Sequence, residues 1–435
     1  MRASESGNPG IAIVGAGIAG LSLAYHLDLP YDLYELESKA GGTCRTEEIA
    51  GCTFDYAPKL ILMGDEYPTD LSVELLGDNV QFATFSDWSY HHKYGVYTRT
   101  PFQKHVFGMP MLAKLRALAG LAGARFSLNG KELGSYQEWL YHTLGRPIAD
   151  MVIIPQEAKK WKIEPSTMDY RWAPRRVPSP SIGAALKGAF SDVSQVRTFG
   201  YTLEGGIAAL MEAFAAHLDN VHLGVSLRAV DARNRTALFD DGSRTTYRAL
   251  VPTIPLPVLV DMLGDAPDEI RRAAGRLKHL SLLCVCLAVD REPLSDKHFV
   301  YVHDPDLIFH RVSFLSNLSP KMAPPGRSSI VAEVSYTDRP PMNTEALIQR
   351  VCEDLVAMDV LRPDDSIAGS GVLHLPYAYP SQTPDRVDNV GRIRTYLEQF
   401  DIYPFGRFGE WAYYNMHDII LNARDFAAEL EARYG

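Results

Sequence analysis

Gly15, Gly17 and Gly20, within GAGIAG, follow the apolar run Ile11 to Val14 and precede a helical pattern that reaches Leu27. Between a strand and a helix, the first glycine makes the tight turn, the second lets backbone approach a pyrophosphate, and the third lets the helix pack on the strand. The free N–H groups of that helix start would face the negative charge. A second strand pattern, Tyr31 to Glu35, ends in a carboxylate able to accept hydrogen bonds from ribose hydroxyls, which disfavours a 2′-phosphate. These residues read as a dinucleotide site. The competing reading is a glycine-rich turn in an unrelated α/β protein.

Glu35 is followed by Gly41, Gly42, Thr43, Cys44, Arg45 and Thr46. This E-x5-GG-x-x-R-T run resembles the second FAD motif of amine oxidases and their relatives. Small residues let the chain pass close to a dinucleotide, and Arg45 could meet its phosphates, unless it is simply a solvated loop arginine. Far along the chain, GRFGEW at Gly406 to Trp411, with Arg407, precedes Asn415 and Met416, which open a final amphipathic helix pattern. A helix start beside a flavin pyrimidine would stabilise the negative charge of the reduced ring.

Four further segments narrow the resemblance: WKIEPSTMDYRWAPRRVPSPS from Trp161, FVYVHDPDLIFHRVSFLSNLSP from Phe299, YAYPSQTP from Tyr377 and GRFGEWAYYN from Gly406. In order and approximate spacing they look like UDP-galactopyranose mutases, particularly the eukaryotic type. The resemblance implies an α/β fold: a Rossmann-like FAD-binding domain, a helical insertion and a six-stranded antiparallel substrate sheet. It also implies interconversion of pyranose and furanose sugar nucleotides, with N5 of reduced FAD bonding to the sugar so that no protein nucleophile is needed. NAD(P)H is a candidate reductant. By position, Arg176 and Arg311 would grip the substrate diphosphate from opposite sides, Tyr301, Tyr379 and Tyr413 would donate hydrogen bonds to it, Gln103 would contact substrate, and Arg407 would lie near the flavin. Guanidinium groups suit a diphosphate leaving group in a low-dielectric cleft.

The sequence departs from that family at three places. Lys59, in FDYAPKLIL, stands where the family has a histidine beside the flavin, and is assigned to the catalytic set with Arg176 and Arg311; an ammonium cannot reproduce imidazole chemistry. Thr100, in TPFQ, replaces a tyrosine that stacks on uracil. Glu157 stands for an asparagine near the nucleotide. A base or sugar other than that of UDP-galactose is expected. Two other functions compete with a mutase: an FAD oxidase or dehydrogenase of an amine, alcohol or sugar, and a flavin-binding protein without catalysis.

The elements that must position these residues are discontinuous in sequence. The FAD-binding domain is expected at 1–66, 199–290 and 396–435, the helical domain at 103–166, and the antiparallel-sheet substrate domain at 67–102, 167–198 and 291–395. Ser135 with Glu138 reads as a capping box and Gly145 as a helix stop. Strand patterns recur at Phe299 to Val302, Ile308 to Leu315 and Ser329 to Tyr336, in a mixed or antiparallel sheet. Leu203 to Leu218 reads as helix, Val221 to Val230 as strand, and Ala249 to Leu263 as strand, turn and helix.

With 435 residues, two or three packed domains are expected. The net charge of −10 argues against nucleic acid as partner, so an anionic ligand needs locally placed arginines. Five scattered cysteines give neither a disulfide framework nor metal-ligand spacing, and a reducing cytoplasm fits them best. The longest apolar run, Leu280 to Val289, is half the length of a membrane helix, and Met1 to Gly10 lacks an apolar leader core. A nucleotide-diphosphate sugar is the expected partner, with homo-oligomerisation left open.

Overall fold

The computed structural model describes residues 10–62, 66–126, 133–192 and 197–435; the residues read for a leader, apart from Gly10, lie outside these. At its base is a parallel sheet in the order Val221–Leu223, Tyr31–Glu35, Ile11–Val14, Ala249–Pro252. All four residues of Ile11–Val14 are buried, because both sheet faces are covered. Ile11, Ile13 and Leu33 pack toward the first helix, Ile18–His26, and the last, Met416–Tyr434. Ala12, Val14 and Leu250 face a separate cluster containing Val230, Leu259 and Ile393.

Val221 to Val230 is two strands rather than one. Gly224 adopts a left-handed φ of 72° and turns the chain, so Val221–Leu223 stays in the parallel sheet while Leu227–Asp231 starts a three-stranded antiparallel sheet. The helix within Leu203 to Leu218 is confined to Ala208–Ala215.

The second layer is a seven-stranded sheet in the order Ile367–Pro380, His279–Val289, Ser328–Tyr336, Arg311–Phe314, Phe299–Val302, Asp87–His91, Val96–Arg99. It is antiparallel except where Phe299–Val302 lies parallel to Asp87–His91; the six-stranded antiparallel expectation thus gives way to a mixed sheet with one more strand. The apolar run Leu280 to Val289 is a central strand buried on both faces. Leu280, Leu282, Cys284 and Cys286 enter one core, and Leu283, Val285 and Leu287 enter another. Cross-strand packing, not lipid, accounts for that run, and among the described residues no helix is long and apolar enough to cross a membrane.

The third part is helical: Met111–Phe126, Tyr136–Leu144, and a run from Arg146 to Trp161 interrupted by a π-helical turn at Ala149–Ile153. Ser135 Oγ accepts from Glu138 N–H at 3.2 Å, while the Glu138 carboxylate accepts from Gly134 N–H at 2.8 Å, one residue earlier than the usual reciprocal bond. Gly145 ends the helix at φ 80°, and a Cβ there would lie 2.2 Å from the Gly120 carbonyl oxygen. The π turn shifts the register of the helical segment Ile154–Trp161. Trp161, which ends that segment, is fully buried in the core shared with the large sheet.

Candidate functional site

A cavity of about 560 Å³ runs between the parallel sheet and the large mixed sheet. Gly15, Gly17, Glu35, Gly42 and Arg45 line one end, and Tyr301, Arg311, Tyr379 and Tyr413 line the other. Lys59, Arg407, Asn415 and Met416 line it as well.

At the first end, the glycines are required by close approach. A Cβ on Gly20 would lie 1.9 Å from the Gly15 carbonyl oxygen, and one on Gly15 would lie 2.4 Å from Thr253 Oγ1. Glu35 is buried, with Oε2 accepting from Ala16 N–H at 2.6 Å and Oε1 from Glu37 N–H at 2.9 Å. The second glycine motif folds directly onto the first: Gly41 N–H donates to the Ala16 carbonyl at 2.8 Å, and a Cβ on Gly42 would meet Gly17 Cα at 3.0 Å. No side chain caps the helix that starts after Gly17, so its first N–H groups keep no side-chain acceptor. Arg45 pairs with Glu37 at 3.3 Å and stacks 4.8 Å over the Tyr56 ring, with its buried Nε unpartnered. An anionic dinucleotide fits this uncapped helix start, orphaned guanidinium donor and glycine-lined approach.

Lys59 sits in the cavity wall between the two ends. Its ammonium donates to the carbonyls of Thr43 at 2.5 Å, Tyr56 at 2.7 Å and Ala57 at 3.2 Å. Those three bonds use all three of its donors. Burial lowers its pKa, opposed by Cys44 and Asp55. The side chain therefore ties the Arg45 loop to the turn at Ala57, where the backbone is left-handed at φ 56°.

At the other end, Arg311 projects from its strand against Glu333 on the neighbouring strand. Its Nε donates to Glu333 Oε1 at 2.6 Å and its Nη2 reaches the same oxygen. Burial works against the Arg311 charge, and Glu333, with Tyr301 and Tyr379, more than restores it. Arg176 comes from a different loop: it donates to the Tyr413 carbonyl at 3.3 Å and to Asp418 at 3.1 Å, and lies 5.1 Å over the Tyr413 ring. Arg176 lies outside the cavity lining; Tyr379 and Tyr413, which line it with Arg311, have ring centroids 5.7 Å apart. Arg407 donates to the carbonyls of Tyr414 and Ala378 and faces both rings at 5.3 and 5.6 Å.

Asn415 caps the last helix in a reciprocal box with Asp418, whose carboxylate accepts from Asn415 N–H at 2.7 Å. Burial raises the Asp418 pKa, but His417, that N–H and Arg176 bring it down to about 2. One carboxylate thus fixes both the helix start and an arginine.

Gln103 lies outside the cavity lining. It is buried, donates to the Pro178 carbonyl at 2.9 Å beside the Arg176 loop, and leaves its Oε1 unpartnered. Thr100 N–H donates to the Asp87 carbonyl at 3.0 Å. Glu157 Oε2 accepts from Trp161 Nε1 at 2.6 Å.

Sequence reading missed Lys160. Its ammonium stands 5.0 Å from the Trp161 ring, 5.3 Å from Tyr379 and 5.4 Å from Tyr413. Burial alone would push the Tyr413 phenol up, but Lys160, Arg407 and Arg176 bring it below its ordinary value. Burial and Asp87 push Tyr301 up to about 12 against the pull of Arg311 and Lys160. The signal lay in Lys160 immediately preceding Trp161, but the rings that give it meaning are more than two hundred residues away.

The family profile described as flavin containing amine oxidoreductase matches residues 18–378. A crystal structure of reduced UDP-galactopyranose mutase superposes with a TM-score of 0.92 at 23% identity, covering 98% of this chain and 94% of that one. A fatty acid isomerase from P. acnes that produces CLA gives 0.67 at 16% identity, covering 98% and 99%. Putrescine oxidase bound to putrescine gives 0.65 at 16%, also covering 98% and 99%. At these identities the likeness is one of fold. In sequence, hydroxysqualene dehydroxylase of Sinorhizobium fredii is 40% identical over 62 residues, 13% of this chain; the match spans only 15% of that protein's length.

Proposed function

This chain belongs to the flavin containing amine oxidoreductase family, and on that premise we propose that it is an FAD-dependent mutase of a nucleotide-diphosphate sugar. The observation that carries the reading is that Arg311 lines the cavity together with Tyr301, Tyr379 and Tyr413, while Arg176, outside that lining, stacks 5.1 Å over the Tyr413 ring, so that two guanidinium groups meet one tyrosine cluster. Gly15, Gly17, Gly20, Glu35, Gly42 and Arg45 would hold the adenosine and diphosphate of FAD, and Asn415 and Met416 would bring a helix start to its ring. When bound in its reduced form, FAD supplies the nucleophile for ring interconversion.

The chain's own groups have the complementary task. Arg311, held by Glu333, and Arg176, held by Asp418, present guanidinium groups whose orientation is set before ligand arrives. Tyr301, Tyr379 and Tyr413 offer phenol donors to a diphosphate that must depart and return. The strands Arg311–Phe314 and Ser328–Tyr336 beneath Arg311 are almost wholly buried and give it an apolar footing. Thr100 and Glu157 motivate a base or sugar different from that of UDP-galactose.

The test is anaerobic. The purified yellow protein is reduced with dithionite and incubated with a panel of nucleotide sugars, with products separated chromatographically. Isomerisation without stoichiometric electron consumption is expected. Stoichiometric bleaching of the oxidised flavin by substrate would instead establish an oxidase or dehydrogenase, the reading that the family description favours.

A further inference from the structure

We propose that Lys160 is a ligand-contacting residue of this site, supplying an ammonium to the phosphate oxyanions of an organic diphosphate. The inference rests on the proposed diphosphate substrate and extends that reading to a residue it does not use.

Most cations around the cavity are already engaged. Arg311 is paired with Glu333, Arg176 with Asp418 and Arg45 with Glu37. Lys59 has given its three donors to carbonyls. Lys160 is different: it lies outside the cavity lining but beside Tyr379 and Tyr413 of the cavity wall, and among the described residues it makes ring contacts but no hydrogen bond or ion pair. Glu157, on the same helix, is bound to the Trp161 indole.

An ammonium carries three donors and no acceptor, and beside these rings none of the three has a protein oxygen partner among the described residues, which leaves them open to a ligand. Ring faces offer some attraction but no lone pair directed at each N–H. Burial opposes its charge, yet Tyr413, Glu157, Tyr379 and Tyr301 hold its pKa above that of an ordinary lysine. It therefore stays cationic at neutral pH.

The surroundings specify the ligand's chemistry. Lys160 shares Tyr379 and Tyr413 with Arg407, and Tyr413 with Arg176. Three cationic side chains, Lys160, Arg407 and Arg176, thus surround this pair of phenols. An oxygen-rich dianion satisfies many donors at once, which a neutral amine, alcohol or single carboxylate cannot.

The experiment titrates inorganic pyrophosphate calorimetrically into FAD-loaded protein. Lys160→Met should weaken binding about 10- to 100-fold, the loss expected for a charge-assisted hydrogen bond. Lys160→Arg should recover most of the affinity. Lys159→Met is the neighbouring control and should bind as wild type, because Lys159 turns away to the Asp304 carbonyl at 2.6 Å. FAD content and unfolding midpoint are measured for each variant; if Lys160→Met does not accumulate as loaded protein, Lys160→Gln takes its place. Unchanged affinity in the neutral variant, with wild type binding pyrophosphate, overturns the role of Lys160 alone. Failure of wild type to bind pyrophosphate overturns the diphosphate reading and this inference together.

Discussion

Lys59 joins two stretches of backbone that both line the cavity, and shortening it takes a donor from three carbonyls at once. Restoring the histidine of the resembling family is therefore expected to harm this chain. An imidazole offers at most two donors, in one plane. Lys59→His should lose about 2–4 kcal/mol of stability through unmet buried carbonyls and release flavin more readily. Urea unfolding and the absorbance of retained flavin measure the two effects; a variant as stable and as yellow as wild type would refute the clamp. At this scale, legibility followed sequence distance. Gly15, Gly17, Gly20 and Glu35 could be read because one short unit contains both the turn and its partner. Lys160 could not, since Tyr379 and Tyr413 reach it only through tertiary packing, while Gln103, expected at the substrate, holds the Pro178 carbonyl through its amide N–H and keeps its Oε1 without a partner.

Individual elements carry the site through their ends and crossings. The first helix can approach its strand only because Gly20 lacks a Cβ, which would otherwise stand 1.9 Å from the Gly15 oxygen. Gly20→Ala should force the helix outward, cost about 1–3 kcal/mol as overpacking does, and yield largely flavin-free protein on purification. A fully loaded alanine variant would contradict the packing argument. At the far end of the chain, Asn415→Ala removes one half of the reciprocal cap and should lower stability by about 1 kcal/mol. Because Asp418 also holds Arg176, Asp418→Asn should cost a similar cap contribution but additionally weaken pyrophosphate binding, which calorimetry would separate from the Asn415 variant. Element types were largely legible from periodicity, as at Phe299–Val302 and Met416–Tyr434. Boundaries failed where a single backbone angle decided them: the alternating pattern of Val221 to Val230 does not disclose that Gly224 turns one strand into two. Nor does strand periodicity state that Asp87–His91 will lie parallel to its neighbour.

Across the whole molecule, the helical part meets the large sheet around a lysine whose charge is costly. Burial, with Lys162 nearby, depresses Lys159 to about 7, against the opposing pull of Asp304 and Asp354. The folded pKa lies below the unfolded value, so the folded state releases this proton first as pH rises. The penalty is complete below about pH 7 and is relieved as pH climbs toward about 10, with a slope of at most about 1.4 kcal/mol per pH unit. Lys159→Met should therefore reduce the rise in stability across that window. Urea midpoints of both proteins at successive pH values measure the difference, and parallel curves would rule the lysine out as its source. The organisation of the fold was visible in outline, since glycine motifs near one end of the sequence and an amphipathic helix near the other implied a shared chamber. Their contact could be inferred only through family likeness, because no local pattern encodes which remote segments meet.

The chamber has a further consequence for biosynthesis. One wall contains Gly15 and Glu35, and another contains Asn415, Met416 and Ile419, so a ribosome delivers the two sides at opposite ends of its work. A nascent polypeptide halfway through translation has a glycine cradle with nothing opposite it. A cofactor held in this chamber would therefore be enclosed only after the last helix has been made.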